Sequence, residues 1–450
     1  MTEPFVVIGG DAAGMSAASK ARREAPDREI VVFEKGEWVS YGACGLPYYV
    51  KGAVETLEDL VSVTPESFQT ERDIDLRTGH EVVEVDTDRE AVIVEGPDET
   101  LEQPYGDLLI ATGASAVVPP IDGIEREGIY TMHDMADGKA IRTRIENDGD
   151  LGVAGIVGGG YVGVEMAEAL HARGLEVHLF EMLPQVLNPF GEAVGEAVAE
   201  ELLAEGVNLH LETPVEGFEG GDRVEAVRTP ERSVPVDIVV LGVGVTPNAT
   251  LAEAAGISLG ETGAIAIDEY GRTSADSVYA AGDCAEMNHA VTGEPDHVPL
   301  ALAANRAGRA IGQTVAGDPT PVGSIVGTAA VKAFDLEAAR SGVLDHDRAR
   351  AAGFDPVSRT ITTESRAGYY PGGSELTVTL VGDRDSGRLL GASMVGEEGV
   401  PKRIDTVATA LHAGMTVGDV ETLDLSYAPP FSPTWDPVLT AAKVLGGSLE

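Results

Sequence analysis

One of the two cysteines in this chain, Cys44, lies in the stretch Ser40-Tyr41-Gly42-Ala43-Cys44-Gly45-Leu46-Pro47-Tyr48-Tyr49, among small residues and just before a proline. Proline is tolerated in the first helical turn because its missing N–H would find no partner there, so the spacing predicts a helix starting near Leu46 or Pro47 with Cys44 at its N-terminus. The free N–H groups and partial positive charge of such an end favour thiolate over thiol, the form a redox or nucleophilic cysteine uses. Taken alone, a lone cysteine is more often a small buried hydrophobe. The second cysteine, Cys284, is far away in sequence; the pair forms neither a disulfide framework nor a metal-ligand spacing, and no metal is expected.

The elements around the cysteine change those odds. Residues 5–8 (FVVI) read as a buried parallel strand, followed by Gly9-Gly10-Asp11-Ala12-Ala13-Gly14 and an alanine-rich helical run ending in Lys20-Ala21-Arg22-Arg23. Strand, glycine turn and helix make a dinucleotide-binding opening, in which Gly9 and Gly14 permit the tight turn and close packing and the helix N-terminus receives a pyrophosphate. Asp11 stands at the middle glycine position. A second strand over 30–33 ends in Glu34, at the distance expected of a carboxylate that takes ribose hydroxyls.

The pattern recurs. Residues 155–157 lead into Gly158-Gly159-Gly160-Tyr161-Val162-Gly163, with Gly158, Gly160 and Gly163 all in place, and the strand over 177–180 ends at Glu181. Glu181 accepts from a free 2′-hydroxyl and repels a 2′-phosphate, and Met182 follows it rather than an arginine, so NADH is preferred to NADPH. Between the two units, residues 108–111 run to Thr112-Gly113, a strand end that suits a bound dinucleotide and equally a plain structural strand. Residues 273–281 form a further strand ending at Gly282-Asp283.

At 450 residues the chain is too long for one core, and roughly 150 residues per domain suggests about three. With 31 basic and 75 acidic residues the net charge is −44, which makes nucleic acid and anionic membrane surfaces poor partners. The acid excess is spread along the chain, as in proteins of salt-accumulating halophiles, where molar salt shrinks the screening length to ~3 Å and silences self-repulsion; an acidic protein of ordinary salinity is the other reading. The start, Met-Thr-Glu-Pro, has no basic region and no long apolar run, so neither export signal nor membrane span is expected, and a reducing cytoplasm fits.

The two glycine motifs, the Ala111-Thr112-Gly113 strand end and Ala280-Ala281-Gly282-Asp283 together resemble the two-dinucleotide flavoproteins, the pyridine nucleotide–disulfide oxidoreductases, over nearly the whole chain. The resemblance implies an α/β fold with two Rossmann-like domains and a C-terminal α+β dimerisation domain. It divides the chain into an FAD domain over 1–113 and 247–321, an NAD(P) domain over 114–246 and a dimerisation domain over 322–450, assembled as a homodimer. It also implies that Asp283 holds the flavin's ribityl chain, that Glu165 lies at the nicotinamide, and that Cys284 is a packing residue.

Members of that family acting on glutathione or lipoamide resemble one another in a second cysteine after the first and a C-terminal histidine–glutamate base, and this chain has neither. It is similar instead to the single-cysteine branch: NADH oxidases, NADH peroxidases and coenzyme A-disulfide reductases. The oxidases and peroxidases carry a histidine where this chain has Ala12. Ser426-Tyr427-Ala428-Pro429-Pro430-Phe431 and Gly368-Tyr369-Tyr370-Pro371-Gly372 look like the coenzyme A-disulfide reductase pattern, implying Tyr427 and Tyr370 from the partner subunit beside Cys44; interface and core aromatics are the other reading. The same resemblance suggests Ser40, Arg22 and Arg72 as substrate contacts. Two departures stand out: Ala43 replaces the asparagine common before that cysteine, and, with the sequence stopping soon after Trp435, no rhodanese domain is expected. The implied activity is FAD-dependent NAD(P)H reduction of coenzyme A disulfide or a related disulfide or persulfide through Cys44. The alternatives are an oxidase or peroxidase reducing O2 or H2O2, and, from a different class, a redox-sensing flavoprotein with little turnover.

Overall fold

The structure, a computed structural model, describes residues 3–149 and 151–449. Its first sheet is parallel, in the order Val278–Ala280, Asp107–Ile110, Phe5–Ile8, Ile30–Glu34, Asp75–Thr78. The central strand Phe5–Ile8 is buried throughout and pairs Phe5 with Ile30 and with Asp107, which is why it reads as an unbroken apolar run. Helix Ala12–Glu24 follows the glycine turn and packs against helix Ala301–Val315.

A second parallel sheet repeats the plan: Asn208–His210, Glu176–Phe180, Val153–Val157, Ile238–Leu241, Ile129–Thr131. Here Val153–Val157 is central, and Tyr161–Ala172 is the helix after the glycines. The chain passes between the two sheets on an antiparallel ribbon, Ala114–Ala116 against Val245–Pro247. The ribbon is stapled at its root, where Thr112 Oγ1 donates to Asn248 O (2.7 Å) and Asn248 Nδ2 donates to Thr112 O (2.9 Å). These hydrogen bonds sit beside the first sheet's strand end, so that end is held from both units.

The third layer is an antiparallel five-stranded sheet, Ala329–Ala333, Leu336–Gly342, Leu389–Gly396, Glu375–Asp383, Pro356–Glu364. Helices Val400–His412 and Pro437–Gly446 cover it, burying Leu376, Val378, Leu380, Ile404, Val407 and Leu445 in one core. Its first hairpin reaches the second nucleotide helix: Phe334 N donates to Glu168 Oε2 at 3.0 Å. No helix among the described residues is long and apolar enough to cross a membrane.

Candidate active site

The two glycine turns are built alike. Gly9 sits at φ 108° with space for a Cβ blocked 2.1 Å away by the Ala111 carbonyl, and Gly158 sits at φ 104° with the Gly242 carbonyl 2.4 Å from the same point. Both conformations require glycine, and both bring backbone close enough to exclude any side chain. At each strand end the carboxylate spans two backbone donors. Glu34 accepts from Gly10 N (2.8 Å) and Gly36 N (2.7 Å); Glu181 accepts from Gly159 N (2.7 Å) and Leu183 N (2.8 Å). The carboxylates are thereby fixed at the mouth of each cradle, beside the start of the nucleotide helix.

The first cradle fits a flavin dinucleotide. Beside the glycine turn, Gly282 has φ 84°, and the Asp283 carboxylate accepts no hydrogen bond from any described residue. Burial pushes the Asp283 carboxyl up, with His297 and His133 opposing. A half-buried carboxylate without a donor suits a polyhydroxyl chain. The second cradle, with Gly160 at the middle position and an open helix N-terminus, fits a nicotinamide dinucleotide.

Cys44 lies in a single turn of 3-10 helix, Ala43–Gly45, and the helix Leu46–Lys51 starts immediately after it with Pro47 in its first turn and Gly52 ending it at φ 91°. The helix boundary is where the sequence predicts it. The expected acidity of the thiol is not found: partial burial pushes the Cys44 thiol up although the residue keeps an exposed edge, and Glu165, Asp283 and Asp11 add to the effect. A six-residue helix offers a weak end charge, and burial of the sulfur, helped by three carboxylates from other elements, outweighs it. Cys44 is exposed, whereas Cys284 is fully buried in a different core with Sγ against Ile110 O.

The cysteine helix is tied to the second nucleotide helix by two side-chain rungs. Tyr48 donates its hydroxyl to Glu165 Oε1 (3.3 Å), and Lys51 forms an ion pair with Glu168. Burial pushes the Glu165 carboxyl up to about 7, against the Tyr48 hydrogen bond. Arg173 Nε donates to Val50 O (2.6 Å), and Arg142 donates to Glu55 O (2.9 Å) while lying over the Tyr49 ring. Tyr48, Lys51 and Glu168 do not emerge from the sequence reading. The signal was the shared three-residue spacing, 48 and 51 on one helix and 165 and 168 on the other.

The remaining predicted residues fall into two separate places. Arg22 donates to Pro26 O and Asp73 O and pairs with Asp73, and Arg72 donates to Ser19 Oγ (3.0 Å) with its guanidinium over Phe68. Both are already engaged, so an anion there must exchange partners with them. Ser40 has a left-handed backbone (φ 49°) and begins the cysteine loop. On the C-terminal domain, Tyr427 Oη lies 3.0 Å from Tyr369 Oη, and the hydroxyls of Tyr369 and Thr434 hold the Tyr427 phenol below its ordinary range. Tyr370 lies beside that pair, its N–H donating to Ala367 O. Tyr369, Tyr427, Phe431 and Trp435 form an exposed aromatic face, and no described hydrogen bond joins it to Cys44 of the same chain.

Comparison with known proteins matches residues 3–306 to the family described as pyridine nucleotide-disulphide oxidoreductase and residues 328–437 to that family's dimerisation domain. An NAD(P)H coenzyme A polysulfide/persulfide reductase of Pyrococcus horikoshii is 41% identical over 445 residues, 99% of each chain. A coenzyme A disulfide reductase of Staphylococcus haemolyticus is 30% identical over 431 residues, 95% of this chain and 96% of that one. Among solved structures, an NAD-dependent persulfide reductase from A. fulgidus superposes with a TM-score of 0.96 at 39% identity, covering 99% of this chain and 83% of that one.

Proposed function

The chain belongs to the pyridine nucleotide-disulphide oxidoreductase family, and on that premise we propose that it reduces coenzyme A disulfide, or a coenzyme A persulfide or polysulfide, through Cys44. It is an FAD-dependent NAD(P)H oxidoreductase. The observation that carries the substrate class is the solitary exposed thiol: Cys284 is sealed in another core, so no second protein sulfur can resolve Cys44. With a disulfide as oxidant, a lone thiol forms its mixed disulfide with the substrate itself.

Bound FAD supplies the two-electron relay between nicotinamide and sulfur. Glu34, Asp283 and the turn at Gly9 and Gly14 would hold that group, with Thr112, Gly113 and Gly282 lining it; Gly158, Gly160, Gly163 and Glu181 would hold the nicotinamide dinucleotide, and Glu165 would contact it. Glu181 supports NADH over NADPH because a carboxylate fixed by two backbone donors repels a 2′-phosphate. Cys44 as thiolate attacks one sulfur of the disulfide, forming the Cys44–substrate disulfide and expelling one thiolate, which a tyrosine protonates. Two electrons, drawn ultimately from NAD(P)H, then cleave the mixed disulfide, restoring the Cys44 thiolate and releasing the second half of the substrate as a thiolate that takes its proton from solvent. Tyr427, whose hydroxyl lies 3.0 Å from that of Tyr369 on the exposed aromatic face, is the favoured proton source. Tyr370 is the neighbouring alternative. The exposed aromatic face and the dimerisation-domain match support a homodimer in which that tyrosine comes from a second copy. Ser40, Arg22 and Arg72 line the approach for a phosphate-bearing substrate.

We assign the FAD domain to 1–113 and 247–321, the NAD(P) domain to 114–246 and the dimerisation domain to 322–450; the ribbon Ala114–Ala116 against Val245–Pro247 supports the first two divisions. The test is NADH consumption with coenzyme A disulfide, coenzyme A persulfide, H2O2 and O2 in molar KCl. Fastest turnover is expected with one of the coenzyme A species. Turnover with oxygen or peroxide alone would establish the oxidase or peroxidase reading, and negligible turnover with all four would establish the redox sensor.

A further inference from the structure

The two nucleotide units match well past their glycines. At the same distance beyond the strand-end carboxylate, Ser40 and Leu187 both take left-handed backbone, φ 49° and φ 47°. Each donates its N–H back into the glycine turn: Ser40 N to Gly10 O at 3.0 Å, Leu187 N to Gly159 O at 2.8 Å. The residue before each is a buried valine, Val39 or Val186, standing 2.8 or 2.9 Å from where a Cβ of Gly10 or Gly159 would lie.

The match breaks at one side chain. Where the second unit has Gly160, the first has Asp11, and Asp11 Oδ1 accepts from the N–H of Tyr41 at 3.1 Å. In the second unit the corresponding N–H, that of Asn188, donates to no described residue. Asp11 is an unfavourable choice by charge alone, since burial and the carboxylates of Glu34 and Asp283 push its carboxyl up to about 6. Glycine at this position serves nucleotide binding in the second unit. The carboxylate therefore has a use that nucleotide binding does not explain, and its only described hydrogen-bond partner outside its own turn is the loop that carries Cys44.

We propose that Asp11 is a positioning residue for Cys44, clipping the start of the cysteine loop to the first nucleotide helix. Tyr41 is held by Asp11 on one side and bridges to Val61 on the other; Gly42 N donates to Leu60 O (2.9 Å), and Gly45 N closes onto Gly42 O (2.8 Å). The turn presenting the thiol is thus anchored at both flanks. Losing the Asp11 anchor removes one of the ties on the flank that leads into Cys44 and leaves it the bridge to Val61 and the bonds to Gly10 and Leu60, and a small misplacement of a reacting atom is costly in rate.

The inference rests on Cys44 being the reactive thiol, and the experiment separates the two claims. Hydrogen–deuterium exchange over residues 38–46 and steady-state disulfide reduction are measured on FAD-loaded wild type, Asp11→Ala, Asp11→Gly and Asp11→Asn. Asp11→Ala and Asp11→Gly are expected to exchange this segment about five-fold faster and to lose about ten-fold in kcat, with KM for NADH within about two-fold. Asp11→Asn keeps an oxygen acceptor and is expected to stay within about two-fold of wild type in both. Should Asp11→Ala fail to retain FAD, Asp11→Gly reproduces the residue of the second unit and carries the comparison. Unchanged exchange in Asp11→Gly, or an Asp11→Asn as impaired as Asp11→Gly, overturns the proposal. If Cys44→Ser turns over at the wild-type rate, the thiol reading fails while the exchange data still decide whether the clip exists.

Discussion

The first and second nucleotide units share a glycine turn, a carboxylate spanning two backbone donors and a left-handed residue that folds the following loop back, yet only the first presents a sulfur. After the left-handed residue, the first unit continues into the turn Ala43–Gly45 and a six-residue helix, while the second runs through Asn188–Phe190 to Gly191 and a thirteen-residue helix, Glu192–Ala204. Cys44 and Gly191 occupy matching places. In the second unit that place is a helix cap at φ 84°; in the first it is a thiol on which Asp11 and Asp283 of its own unit and Glu165 of the other all act. The lesson is that the cradle is a generic device for holding a dinucleotide, and chemistry enters through the loop beyond the carboxylate.

The sharpest way to break that comparison is to remove the sulfur and leave the cradles. Cys44→Ser is expected to lower disulfide reduction at least about a hundred-fold, while stopped-flow reduction of the flavin by NADH proceeds at the wild-type rate. Turnover that survives would make Cys44 equivalent to Gly191, a structural position.

A smaller effect distinguishes the two carboxylates. Replacing Glu181 with Ser and Met182 with Arg is expected to move the ratio of kcat/KM for NADH over NADPH by about ten- to a hundred-fold toward NADPH. Glu34→Gln is expected to loosen FAD, read as flavin lost on gel filtration, and to leave that ratio unchanged. A shift in coenzyme preference from Glu34→Gln would mean that the units have been assigned the wrong way round.

The smallest effect concerns the rung between the units. The Glu165 carboxyl, pushed by burial up to about 7 from its ordinary 4.5, keeps its proton in the folded protein at pH values where the unfolded chain has lost it. Stability from this group is therefore full below pH ~4.5 and falls as the pH rises toward 7, because the unfolded state binds fewer protons over that interval. Glu165→Gln removes the slope and is expected to raise the melting temperature at pH 7.5 by about 1–3 °C, with little change at pH 4.5. An equal shift at both pH values would point to packing rather than protonation.

The cradles were legible because their causes are local. Gly9 and Gly158 need a backbone that other residues resist, the apolar runs 5–8 and 153–157 have to be buried on both faces, and Glu34 and Glu181 follow at a spacing set by one helix and one strand. The helix after Cys44 was legible from Pro47 for the same reason. The charge environment of the cysteine was not. Asp11, Glu165 and Asp283 are scattered through the chain, and no periodicity relates them. Arg22 and Arg72 read as substrate contacts by resemblance, and only the folded chain shows the carbonyls, Ser19 and Asp73 that already hold them.

What the sequence determined by itself is therefore the pair of dinucleotide units, the lone cysteine between them and the family to which these belong, since each depends on backbone sterics and burial acting within a few tens of residues. The tertiary structure alone decided how acidic Cys44 is, which tyrosine lies against Tyr427, and how the cysteine helix is fastened to Glu165 and Glu168. The physical reason is one of range. Electrostatic and hydrogen-bonded environments are sums over groups brought together by three packed layers, and a thiol answers to every carboxylate near it regardless of where in the chain that carboxylate began.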